Sequence, residues 1–149
     1  MRPEWVDYNR HISDFRYSQL FGEAMDALFR QVGVDEDYRA TRRMYYTVEN
    51  HVKHTGEAKL GEPLYITAQV LKADDKRLHV FQRLHRGSDD RQIASAEQMY
   101  LHVDTTTAKA APADREVHAK LAAIGREHAT LPLPGEVGRS IARPSCPKS

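Results

Sequence analysis

The sequence predicts an α+β domain in which a long N-terminal helix is followed by a run of antiparallel strands and then a shorter helix, with the helices on one side of the sheet. Three observations carry this expectation. Apolar residues recur at three- and four-residue steps from Tyr17 to Val32. Between Met44 and Asp104 the period changes to two, with turn residues separating the runs. Val117, Leu121 and Ile124 then restore the helical spacing. A chain of 149 residues is long enough for one domain with a self-sufficient core.

The first helix is expected over residues 13 to 32. Tyr17, Leu20, Phe21, Ala24, Leu28 and Val32 form its stripe, and Phe15, Met25 and Phe29 widen it. Ser13 is placed to cap it, Asp14 suits the positive end of its dipole, and Gly33 suits a left-handed stop. So wide a stripe implies contact on more than one side, as for a helix held by a curved sheet. After Gly33 the texture becomes strand-like, with Met44 to His54 rich in aromatic and β-branched residues. Gly61-Glu62-Pro63 breaks the run, and Leu64, Ile66, Ala68 and Val70 then alternate with Tyr65, Thr67 and Gln69. Ala73-Asp74-Asp75-Lys76 reads as a hairpin connection. Leu78, Val80 and Leu84 take one face of the next strand, and His79, Phe81, Arg83 and His85 the other. A turn over residues 86–90 leads into a long strand from about Gln92 to Asp104, and residues 105–112 form a small-residue connection. Asp114 is placed to cap the second helix, which runs to about His128. The domain is expected over residues 1–130, with a loosely held Pro/Gly/Ser/Arg tail over 131–149.

Lys and Arg total 22 and Asp and Glu 21, a net charge of +1 that argues against a general nucleic-acid binder. Cys146 is the single cysteine, which excludes an intramolecular disulfide. No run reaches the roughly 18 apolar residues of a membrane span. The N-terminus has no apolar stretch of the secretory kind, so the expected location is cytoplasmic, with no membrane and no nucleic-acid partner. No internal repeat is visible.

The chemistry is concentrated immediately before the first helix. Asp7-Tyr8-Asn9-Arg10-His11 places a carboxylate, an amide and an imidazole within five residues. A carboxylate can act as base or nucleophile, and Asn or His can donate to an oxygen that becomes negative. The first amides of a helix are unsatisfied and partly positive, and so offer an anion or carbonyl site. Together these suit acyl transfer. Loops of this composition also serve as simple turn and capping devices.

Trp5-Val6-Asp7-Tyr8-Asn9-Arg10-His11, followed by Asp14, Arg16-Tyr17 and Phe21, resembles the hotdog-fold acyl-CoA thioesterases of the 4-hydroxybenzoyl-CoA thioesterase type. Gly61-Glu62-Pro63-Leu64 is similar to the family's approach to its next strand, and the resemblance covers residues 5 to about 104. It implies a curved antiparallel sheet wrapped around a long central helix. It also implies an enzyme that hydrolyses an acyl-CoA without a cofactor or metal. By the same resemblance Asp7 attacks the thioester or activates water against it, and Asn9 and His11 line the site. A backbone amide near Ser13 to Phe15 supplies the oxyanion donor. Arg10 stands where the family carries Gly, and six residues precede the motif where the family has a first strand. Texture including His118, His128 and Gly138-Arg139 is similar to the branch that hydrolyses betainyl-CoA in carnitine metabolism.

Other residues have two readings each. Glu49, Asn50 and His51 fall in the strand expected to flank the site across a dimer interface, or they form a solvated strand face. Trp5, Tyr8, Tyr45 and Tyr46 could surround a quaternary ammonium, or fill core and interface. Among these, Trp5, Tyr8, Tyr46, Glu49 and His51 are the expected substrate-binding residues. Lys53, Lys59, Lys72, Lys76, Arg77, Arg83 and Arg86 could meet the phosphates of CoA, or be scattered surface charge. The histidines do not suggest a metal: His51 and His54 fall on opposite strand faces, and His79 and His85 lie ~20 Å apart at ~3.3 Å per residue. No phosphate-binding glycine loop and no Gly-x-Ser-x-Gly are present. A single copy would leave a sheet edge uncovered, so a homodimer or homotetramer is expected. A non-catalytic acyl-CoA-binding subunit and a hydratase on the same fold remain as alternative readings.

Overall fold

Helix α1 (Asp14–Val32) buries Tyr17, Phe21, Met25 and Phe29 at four-residue steps and then Val32, so one face drifts slowly along the sheet. Leu20 and Leu28 flank this row at partial burial, whereas Phe15 is 63% exposed. At its end Gly33 adopts φ 99°, donating to Arg30 O, while Val34 donates to Phe29 O at 2.8 Å. These two bonds satisfy the last carbonyls in the Schellman pattern. At the start Ser13 occupies the capping position, but its side chain makes no cap bond. The structure is a computed structural model in which residues 3–7 and 11–141 are described.

A short helix α2 (Glu36–Ala40), capped by Asp35 accepting from Tyr38 N–H, precedes the strands where sequence texture suggested none. The strands are β1 (Arg43–His54), β2 (Leu64–Ala73), β3 (Arg77–Arg86), β4 (Arg91–Asp104) and β5 (Lys109–Ala110). They form one antiparallel sheet in the order β1-β4-β3-β2, with β5 added to β4. Helix α3 (Arg115–His128) follows. Asp114 holds the position before it without a side-chain cap bond, its carboxylate being paired with Arg43.

Helix α3 lies along β2, burying Val117 and Leu121. His128 Nδ1 accepts from Val70 N–H at 2.9 Å, beside the bulge between Val70 and Lys72. The β2 edge is thus covered by a helix. Strand β1, at the opposite end of the sheet order, has no strand on its other side among the described residues.

The face of β3 and β4 beneath α1 is partly polar. Gln82, Gln98 and His102 are 0–3% exposed. Gln82 Nε2 donates to Phe21 O at 3.2 Å and also to Gln98 Oε1, which accepts from Tyr100 Oη at 2.9 Å. His102 lies between Tyr38 Oη at 2.9 Å and Ala111 O at 2.7 Å. On the far face, Phe81 is 2% exposed, and the segment after α3 lies over it. Pro134 is buried there, Glu136 accepts from Lys53 at 2.8 Å and from Gln92 at 3.2 Å, and Gly138 N–H donates to Glu97 at 2.7 Å. Residues 131–141 therefore form a strap where composition suggested a loose tail, and the remainder, including Cys146, lies outside the described residues. No helix among the described residues is long and apolar enough to cross a membrane.

Candidate active site

The loop before α1 is closed on itself by main-chain bonds. Pro3–Trp5 form one 3-10 turn, Ser13 N–H donates to Trp5 O at 2.9 Å, and Val6 bridges Ile12. Asp7 N–H donates to His11 O at 2.8 Å, and the Asp7 carboxylate accepts from His11 N–H at 3.2 Å. Two-way bonding between Asp7 and His11 holds the half-buried carboxylate just before the helix. Tyr8, Asn9 and Arg10, two of them expected at the site, lie outside the described residues.

The mouth of α1 is completed by residues far away in sequence. His11 Nε2 lies 3.1 Å from Glu57, and the His11 main chain bridges Lys59. At the end of β1, His54 Nε2 lies 3.2 Å from Asp14, and its ring meets Tyr17 edge-on at 4.5 Å. Burial raises the Tyr17 phenol above its ordinary value, with Glu57 and Asp14 adding to the effect. Three carboxylates, two imidazoles and a phenol therefore surround the helix start, where first-turn amides point outward. Tyr17 belongs to the run that carries the resemblance, whereas Glu57, and His54 in this role, were not legible in the sequence. No local motif marks these two, because β1 and its following loop reach the helix only through the fold.

The other expected residues are distributed differently. Trp5 lies on the loop itself. Tyr46, Glu49 and His51 pair with Leu101, Met99 and Glu97 and so share the face of β1 turned away from α1. Glu49 and His51 line a pocket of about 480 Å³ with His79, Glu97 and the strap residue Arg139. Within one protomer they do not join Asp7. Tyr45 is on the α1 face, stacked on Phe29 at 5.1 Å. Of the basic residues, Lys53, Arg77 and Arg86 are engaged by Glu136, Asp74 and Asp89. Arg86 also donates to Glu57 O at 3.0 Å, which places it and Lys59 beside the Asp7 loop.

A sheet wrapped on one long helix, with a carboxylate held at the helix mouth, defines a hotdog domain of the thioesterase type. The chain belongs to the thioesterase-like superfamily, whose family profile matches residues 1–121. It is 50% identical over 139 residues to an L-carnitine dehydrogenase/betainyl-CoA thioesterase of Rhizobium meliloti, covering 93% of this chain but only 28% of that protein. It is 38% identical over 143 residues to a betainyl-CoA thioesterase of Pseudomonas aeruginosa, covering 95% of this chain and 90% of the relative. In fold it matches a Staphylococcus aureus protein solved in complex with CoA, at TM-score 0.90 and 23% identity, covering 97% and 91% of the two chains.

Proposed function

We propose that the chain hydrolyses an acyl-CoA thioester, with betainyl-CoA as the substrate and Asp7 as the reacting carboxylate. The observation that carries this reading is the two-way bonding of Asp7 and His11, which holds a carboxylate at the amide-rich start of α1. A thioester carbonyl is electrophilic and a thiolate leaves readily. The site needs only a nucleophile or base and a donor for the oxyanion. Asp7 attacks the carbonyl carbon to give a mixed anhydride that water then opens, or it takes a proton from the water that attacks. Either way the C–S bond breaks, the thiolate of CoA departs and takes up a proton, and the acid is released. First-turn amides of α1 hold the oxyanion, and Asn9 and His11 orient water or carbonyl. Lys59 and Arg86, beside the loop, are cations for the CoA phosphates. The names of the 50% and 38% identical relatives support the betainyl group, and the uncovered edge of β1 supports a homodimer.

Thiol release measured over a panel of acyl-CoAs tests this reading, and betainyl-CoA should be turned over fastest. Saturable binding without thiol release would instead establish a binding subunit, and hydration of crotonyl-CoA a hydratase. In a single turnover in ¹⁸O-water, label in the Asp7 carboxylate establishes the nucleophilic route, since label enters it only when water opens the anhydride at the Asp7 carbon.

A further inference from the structure

A second cleft, of about 220 Å³, opens between the middle of α1 and β1, with Asp26, Phe29, Tyr45, Thr47 and Tyr100 in its lining. Its wall is aromatic: Phe29 stacks on Tyr45 at 5.1 Å and meets Tyr100 edge-on at 5.4 Å. Asp26 is exposed on the helix beside these rings, and no hydrogen bond or salt bridge engages its carboxylate among the described residues. Burial pushes the Tyr100 phenol up to about 12, the Thr47 hydroxyl opposing and the Asp26 charge adding to the rise. Arg39 also reaches the cleft, from α2. The buried Gln82–Gln98–Tyr100 chain holds the tyrosine from behind. A carboxylate without a partner beside aromatic rings attracts an onium cation, which keeps its charge at every pH and donates no hydrogen bond.

We propose that this cleft receives the quaternary ammonium end of the acyl group whose carbonyl is attacked at the partner subunit's Asp7, with Asp26 as its counter-ion. The proposal rests on the thioester-hydrolase reading above. Helix geometry makes the arrangement intermolecular. Asp26 is twelve residues beyond Asp14, about 18 Å along α1 at 1.5 Å per residue, whereas a betainyl ammonium is two bonds from its carbonyl carbon. A cleft that far from its own Asp7 cannot serve it. Strand β1 supplies the route between protomers. His54 marks the Asp7 end of the strand and Thr47 the cleft end, both on the α1 face, and the edge between them is open. Antiparallel pairing of two β1 edges about a two-fold near Asn50 and His51 sets Thr47 of one protomer opposite the partner subunit's His54.

The test compares betainyl-CoA with 3,3-dimethylbutanoyl-CoA, its uncharged carbon isostere, in wild type and Asp26→Asn. The ratio of the two kcat/KM values should fall about 10- to 100-fold in the variant, as expected for a charge partner lost from a covered site. An equal fall for both substrates, or no change in the ratio, overturns the assignment. Asp26→Glu should retain the preference for the cation. Mixing Asp7→Asn chains with Asp26→Asn chains should restore betainyl-CoA turnover, because each hybrid dimer then holds one intact site, and failure to restore it overturns the cross-subunit geometry. If wild type releases thiol from neither ester, the hydrolase reading fails by itself. Calorimetric binding of free betaine against 3,3-dimethylbutanoate then decides the subsite. A preference for betaine that Asp26→Asn abolishes upholds it, and no preference overturns it.

Discussion

Replacing Tyr38 by Phe removes one oxygen from a buried relay that ties three elements together. Asp114 N–H donates to Tyr38 Oη at 3.2 Å, and Tyr38 Oη lies 2.9 Å from His102 Nε2. His102 Nδ1 lies 2.7 Å from Ala111 O, which can only accept. That carbonyl fixes the proton on Nδ1, so Nε2 is the acceptor and the Tyr38 hydroxyl its donor. In Tyr38→Phe the His102 ring, 0% exposed, keeps a buried acceptor with no partner. Such an orphan costs ~1–3 kcal/mol, and the released Asp114 amide, able to turn to water, adds ~0.5–1 kcal/mol. The expected loss is about 2–4 kcal/mol, or a Tm lower by about 4–16 °C for a chain of this size. Urea and thermal unfolding followed by circular dichroism measure it. A loss below about 0.5 kcal/mol would mean that the relay is not formed as described. The same relay has a pH signature. Desolvation holds His102 below its ordinary value of 6.5. The unfolded chain therefore binds a proton that the folded chain refuses, and stability falls as pH drops below about 6.5. In His102→Gln, which does not titrate, the slope of stability against pH just below 6.5 should flatten; an unchanged slope would count against the assignment.

Three further outcomes are expected. Asp7→Asn retains an oxygen that can accept from His11 N–H, so the fold should hold while thioesterase kcat falls about 10²- to 10⁴-fold; a fully active variant refutes the role of Asp7. Gly33→Ala meets nothing nearer than Lys120 Nζ at 3.9 Å, so its cost is conformational, about 1–2 kcal/mol for a side chain at φ 99°, read by urea unfolding. Glu136→Gln weakens the contact with Lys53, and should speed proteolysis within residues 131–141 while moving global stability by less than about 1 kcal/mol.

The sequence by itself determined the elements whose cause is local. Helix α1 follows from its apolar spacing and from Gly33, and the β3 and β4 strands from alternation and turn residues. Asp7 was legible because it lies in one short run beside His11 and the helix start. Other features were decided only by tertiary structure. Texture after Gly33 did not reveal α2, whose five residues carry too little periodicity to be read. Gln98, Tyr100 and His102, rather than the more apolar Met99 and Leu101, face α1, because the neighbouring polar groups and Tyr38 satisfy them there. Ser13 and Asp114 stand at capping positions, yet their side chains make no cap bond, a choice set by surroundings such as Arg43. The strap is held by Glu136 and Gly138 reaching partners more than forty residues away. His54 and Glu57 complete the mouth of α1 for the same reason. Periodicity records which face of an element is apolar, but which distant side chains meet is fixed when the sheet curves around the helix and brings its far ends to one place.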